Sequence, residues 1–206
     1  MSSDVNSASK STKAPSNPGG GIAPYIKEIG RGKDGARALS REQAADLMGQ
    51  VLDGHVSDLE LGAFCLAMRI KGETAQEMAG FLDATHARLH RPQASGQSVV
   101  VLPSYNGARK LPVLTPLLGL LLAREGVPVL IHGTPTESAR VDAAKVLMSL
   151  GVKSLTAIDT GACTLQAGQV VFAPTGVLLP GLQLLLEVRR VVGLRNSAHS
   201  LVKLMN

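Results

Sequence analysis

Residues 99–133 read VVVLPSYNGARKLPVLTPLLGLLLAREGVPVLIHG, and this stretch decides the architecture. Two short apolar runs, Val99–Leu102 and Val127–Ile131, flank one longer apolar segment. That is the pattern of two buried parallel strands joined by a crossover helix. SYNGARK stands after the first strand, where an α/β fold would carry a phosphate-binding loop. Such a loop aims several backbone N–H groups at one anion and needs repeated glycines so that no Cβ blocks the approach. Here Gly107 alone serves. Ser104, Tyr105, Asn106, Arg109 and Lys110 suit salt-dependent contact with a polyanion better than enclosure of one small diphosphate.

The βα pattern continues downstream. Thr134 and Pro135 are expected to cap a helix over about Ser138–Leu150. Strands are expected at Ser154–Ile158 and Val170–Ala173, then a helix over Leu182–Val192 ended by Gly193. Upstream the period is helical. Ser40, followed by Gln43, forms a capping box ahead of the stripe Ala44, Leu47, Met48, Val51 and Leu52. Ser57 caps a second helix with Leu59, Leu61, Phe64 and Met68, and a third runs from Thr74 to about Arg88, burying Met78, Phe81 and Leu82. Residues 1–24, rich in Ser, Pro, Gly and Lys, read as a disordered tail. The expected division is therefore 1–24 tail, 25–95 helical domain and 96–206 α/β domain.

Composition narrows the function classes. The chain has 206 residues, 45% of them hydrophobic, with only 2% aromatic and no Trp, so its core is built of Leu, Val and Ala. That favours helices and parallel sheet. The net charge of +5 suits an anionic partner without demanding one. Cys65 and Cys163 lack neighbours in metal-ligand spacing, which points to a reducing cytoplasm. The longest apolar run, Leu111–Ala123, contains Pro112 and Pro116 and is too short to span a bilayer. His86 and His90 are four apart, yet Ala87, Arg88 and Leu89 between them omit the glutamate of an HExxH zinc site. They read as polar groups near a helix C-terminus. Cys65 reads as core, and Glu42, Asp46, Asp58 and Glu60 as solvated faces and caps. No catalytic residue and no metal ligand is expected.

IKEIGRGKDGARALS, DLELGAFCLAMRIKGET, PSYNGARK, FAPTG and VRRVVGLRNSAHSLVKLMN together carry a resemblance. From Tyr25 to Asn206 the chain resembles the anthranilate phosphoribosyltransferase superfamily, and more closely its YbiB-like branch. The resemblance implies an α/β fold of the anthranilate phosphoribosyltransferase / nucleoside phosphorylase type, with a small helical domain joined in space by the helix near 180–193. It also implies a homodimer through the helical domain and, for the branch, DNA and RNA binding without established transferase activity. The transferases hold phosphoribosyl diphosphate on Gly-Thr-Gly-Gly-Asp, where this chain has Ser104, Tyr105, Asn106, Gly107 and Ala108. Of their Lys-His-Gly-Asn-Arg only His132 and Gly133 remain. Arg189 matches the arginine that binds the anthranilate carboxylate. The magnesium-binding Asp-Glu pair falls beyond the position of Asn206, so the resemblance implies an α/β domain incomplete relative to the family.

The cations recur at turns. Lys27, Arg31, Lys33, Arg37 and Arg41 form one cluster, Arg69 and Lys71 a second, Arg109 and Lys110 a third, and Arg189, Arg190, Arg195 and Lys203 a fourth. In the superfamily fold the last three border the interdomain cleft. The expected nucleic-acid contacts are Arg31, Lys33, Arg37, Arg69, Lys71, Tyr105, Asn106, Arg109, Lys110, Arg190, Arg195 and Lys203. Tyr105, the one aromatic in a basic loop, could stack on a single base, worth about 1 to 3 kcal/mol. Binding should thus be largely blind to sequence and need no cofactor. The alternative is a pentosyltransferase using phosphoribosyl diphosphate with magnesium, its substrate held by Ser104, Asn106, Gly107, His132, Gly133 and Arg189. A dimerising scaffold without a ligand is the third reading.

Overall fold

The computed structural model describes residues 20–32, 34–94, 96, 98–108, 110–135, 139–157 and 164–205. Four helices open the chain: α1 (Ala23–Ile29), α2 (Arg41–Leu52), α3 (Asp58–Lys71) and α4 (Ala75–Arg88). Pro24, expected in the tail, instead sits in the first turn of α1, where its missing N–H costs nothing. Ser40, Ser57 and Thr74 all cap as complete boxes with Gln43, Glu60 and Glu77. Each side-chain oxygen satisfies an N–H that the helix cannot, at about 1 kcal/mol apiece. Phe64 of α3 and Phe81 of α4 are fully buried and meet edge-to-face with centroids 6.1 Å apart. Tyr25 ties α1 to α2 by donating its hydroxyl proton to Asp46 at 2.6 Å. Asp46 is thereby a structural acceptor and not simply a solvated carboxylate.

The α/β part contains β1 (Gln93–Ala94), β2 (Val100–Pro103), α5 (Thr115–Arg124), β3 (Val129–Gly133), α6 (Ala143–Ser149), β4 (Thr164–Leu165), β5 (Val170–Pro174) and α7 (Thr175–Leu178). β2, β3 and β5 form a parallel sheet in that order, and β1 pairs with β4 in a parallel two-stranded sheet. The strand period of two sorts their side chains. Val99, Val101, Leu130, Val171 and Ala173 face the large core shared with the helical layer. Val100, Val129, Ile131 and Phe172 face a second core with Ala143 and Leu147 of α6. Covered on both sides, the strands stay apolar until their C-terminal ends.

α8 (Pro180–Val192) then packs against α2, ending at Gly193, and α9 (Ala198–Leu204) packs against α4, α8 and β2. The chain thus returns to its helical layer.

Two further sequence expectations need correction. The helix expected over about Ser138–Leu150 begins at Ala143, capped by Asp142 and not by Thr134, because Val141 is taken into a backbone pair with Ala108. The expected start at Ser138 itself lies outside the described residues. The strand expected at Ser154–Ile158 reduces to a bridge from Ser154 to Phe172, with Ile158 outside the described residues. Cys65 is core, 4% exposed, and burial pushes its thiol up to about 11.

Candidate functional site

β2, β3 and β5 end together, Pro103 opposite His132 and Gly133 opposite Pro174. The loop after β2 is bound into the protein on both sides. Ser104 N–H donates to the His132 carbonyl at 2.7 Å, and Ala108 and Val141 exchange backbone bonds of 3.0 and 3.2 Å. Asn106 is buried at φ 74°, a left-handed conformation that asparagine tolerates better than most residues. Gly107 follows at φ 53°, and a Cβ there would lie 2.3 Å from the Val141 oxygen. A Cβ on Gly133 would lie 2.4 Å from the Ser104 oxygen. Both glycines therefore serve close internal packing. Arg140 donates to the carbonyls of Asn106 and Gly107 at 3.2 and 3.4 Å. No local cue announces this clamp, since Arg140 sits inside an expected helix.

α9 covers the same edge. The ring of Tyr105 meets His199 edge-to-face at 5.8 Å between centroids, with Lys203 Nζ 5.9 Å from the tyrosine centroid. Tyr105 is half-buried against the main core, so its ring is already engaged within the protein. His132 is buried, and its Nε2 lies 3.0 Å from the Met205 carbonyl. Burial holds its imidazole below the usual histidine range despite that bond.

Three of the expected cations converge. Arg69, at the end of α3, and Arg195 and Lys203, before and within α9, line one pocket of about 250 Å3 with Glu73, His199 and Ser200. All three cations are exposed. Glu73, the pocket's carboxylate, accepts from Ser197 Oγ at 2.6 Å. His199 is 5% exposed, with Nδ1 within 3.1–3.3 Å of Asn196 oxygen and nitrogen atoms. Burial, then the charges of Arg195, Arg189 and Lys203, bring its pKa down to about 4 against the Asn196 main-chain bond. Asn196 in turn donates to the Leu185 carbonyl at 2.7 Å and accepts from Ala198 N–H at 3.1 Å, fixing α9 to α8. The serine and asparagine of RNSAH are the only trace of this hub in the sequence.

The remaining expected contacts are scattered. Lys71 turns inward to Glu77 at 2.7 Å, because that buried carboxylate needs a counter-ion. Burial pushes Glu77 up, but Lys71 and donors from Leu39 and Thr74 outweigh it and hold the carboxyl below its usual range. Arg31 pairs with Glu28 at 2.8 Å, and Arg37 lies 3.8 Å from the same carboxylate. Arg189 and Arg190 line a small cleft with Pro135, Gln183 and Glu187. Lys110 is exposed. Lys33 and Arg109 lie outside the described residues. Among the described residues no group of three His, Cys, Asp or Glu side chains could hold a metal ion.

Comparison with known proteins agrees with this architecture. Residues 23–88 match the glycosyl transferase family helical bundle domain. Anthranilate phosphoribosyltransferase from Thermus thermophilus superposes with a TM-score of 0.68 at 25% identity, over 88% of this chain and 54% of that one. The fold is that of anthranilate phosphoribosyltransferase. The yeast enzyme in complex with PRPP and Mg has the same fold at TM-score 0.62 and 12% identity, over 89% of this chain and 54% of that one. Among curated proteins, YbiB of Escherichia coli is 44% identical over 181 residues, 87% of this chain and 57% of that protein. Anthranilate phosphoribosyltransferase of a Bradyrhizobium strain is 36% identical over 149 residues, 71% of this chain and 44% of that one. The chain thus spans about half the length of these relatives.

Proposed function

We propose that this protein binds nucleic acid through backbone phosphates, without sequence preference, as a homodimer with an anthranilate phosphoribosyltransferase-like fold. The observation that carries the reading is the convergence of Arg69, Arg195 and Lys203 on one pocket whose carboxylate, Glu73, is engaged by Ser197. Guanidinium and ammonium groups held together in this way neutralise phosphates without reading base edges. Dimerisation is assigned to α1 and α3, where Ile26, Ile29, Leu66, Ala67 and Ile70 line an apolar groove, with Leu66 46% and Ile70 60% exposed. No helix among the described residues is long and apolar enough to cross a membrane. The free, buried thiol of Cys65 suits the cytoplasm.

A phosphoribosyl diphosphate–magnesium site is the second reading, favoured by His132, Gly133 and Arg189 in family-like positions. The described loop fits that group poorly. Ser104 and Ala108 N–H groups are spent on main-chain carbonyls, and Gly107 is packed onto Val141. Titration of labelled mixed-sequence single- and double-stranded DNA and RNA at low salt tests the proposal. Saturable binding of every sequence at similar affinity is expected. Absence of binding, together with magnesium-dependent diphosphate release in the presence of anthranilate, would favour the transferase.

A further inference from the structure

The pocket that Arg69, Arg195 and Lys203 surround has a buried floor. Met68, Asn196 and His199 are 1%, 7% and 5% exposed, whereas the three cations, Glu73 and Ser200 around them are exposed. One wall is the last turn of α3 with the loop after it, and the other is α9 with the residues just before it. The result is a pit closed below and open above. Its volume of about 250 Å3 equals that of roughly eight waters, room for one phosphate and part of an attached sugar. Three cations against the single carboxylate of Glu73 leave a charge of +2, since His199 is neutral near pH 7. Burial first, and then the charges of Arg195, Arg189 and Lys203, hold that imidazole neutral, so the field of the rim reaches the floor.

We propose that this pit seats a phosphate monoester, the terminal phosphate of a nucleic-acid strand, in preference to the phosphodiesters of its backbone. The strand as source rests on the nucleic-acid reading above, and the group selected goes beyond it. A monoester carries a charge of about −1.5 to −2 at pH 7 and three acceptor oxygens, which match a pit of charge +2 ringed by three cations. A diester carries about −1 and has only two free oxygens. The guanidinium forks of Arg69 and Arg195, the Lys203 ammonium and the Ser200 hydroxyl supply the donors. Shape acts in the same direction. A backbone phosphate continues on both sides and lies across the rim, whereas a terminal phosphate continues on one side and can descend. Glu73 repels a second phosphate beside the first.

The test titrates the full chain with one short single strand, labelled at its 3′ end and carrying either a 5′-phosphate or a 5′-hydroxyl. The 5′-phosphate is expected to tighten binding about tenfold, the worth of one further charge-assisted hydrogen bond. Arg69→Gln with Arg195→Gln should abolish that gain. A nucleoside 5′-monophosphate should move the amide resonances of Gly72 and Ser200, and the parent nucleoside should not. Equal affinity for the two strands would overturn the inference while leaving backbone binding in place. A gain that persists in the folded double variant, or a nucleoside as effective as its monophosphate, would also overturn it. Failure of both strands to bind, with the monophosphate still moving Gly72 and Ser200, would overturn the strand as source and uphold the monoester seat. The comparison of strands needs no variant and stands even if the double substitution fails to fold.

Discussion

The rings of Tyr105 and His199 stand at 89° to one another with centroids 5.8 Å apart, so the aromatic side chain of the basic loop is held against α9. This contact separates a packing role from a base-stacking one. Tyr105→Leu should lower stability by about 1 kcal/mol, the usual worth of an aromatic pair beyond its burial. Oligonucleotide affinity should change by less than about twofold. Loss of a stacked base would instead weaken binding by about 1 to 3 kcal/mol. Parallel denaturant melts and anisotropy titrations distinguish the two.

His199 makes stability depend on pH. Its folded pKa of about 4 lies below the ordinary value of 6.5, so the unfolded chain binds the extra proton more readily. The stability tied to the neutral ring is present above about pH 6.5 and is lost as pH falls toward 4. His132, shifted in the same direction, adds to the loss. The expected cost from His199 is up to about 3 kcal/mol. His199→Gln should flatten the urea-denaturation profile between those pH values, and an unchanged profile would contradict this assignment.

Lys71 and Glu77 form a pair with side chains only 9% and 0% exposed. Removing one partner leaves an uncompensated charge, so Lys71→Met should destabilise by roughly 3 kcal/mol. Glu77 has its carboxyl pKa lowered on folding, so its contribution is present above the ordinary Glu value near 4.3 and is lost as pH falls below it. Thermal melts at pH 7 and below pH 4 should show the penalty of Lys71→Met shrinking in acid. Nucleic-acid affinity at pH 7 should stay unchanged in the folded fraction, because Lys71 is not offered to a ligand.

Ser40, Ser57 and Thr74 announce three helix starts in the sequence because a cap is local chemistry, and the apolar runs Val99–Leu102 and Val127–Ile131 announce strands because both faces are buried. The late start of α6 is not legible there, since Asp142 caps it only after Val141 has been drawn to Ala108, a residue 33 positions away in sequence. At the site, clustering of Arg69 with Arg195 and Lys203 depends on α9 folding back, which a linear count of cations cannot supply. The inward turn of Lys71 depends on Glu77 being buried. Tyr105 reads as part of an open loop and is instead half-buried, because α9 provides its partner.

The most direct test of phosphate binding by this pocket is the salt dependence of duplex affinity, compared between the unaltered protein and an Arg69→Ala, Arg195→Ala, Lys203→Ala variant. Each phosphate contact contributes about −0.9 to the slope of log affinity against log salt concentration. The variant should therefore bind all duplex sequences more weakly by a similar factor, with a slope shallower by about 2 to 3. An unchanged affinity and slope in a folded variant, or no salt-dependent binding by the unaltered protein, would contradict the account.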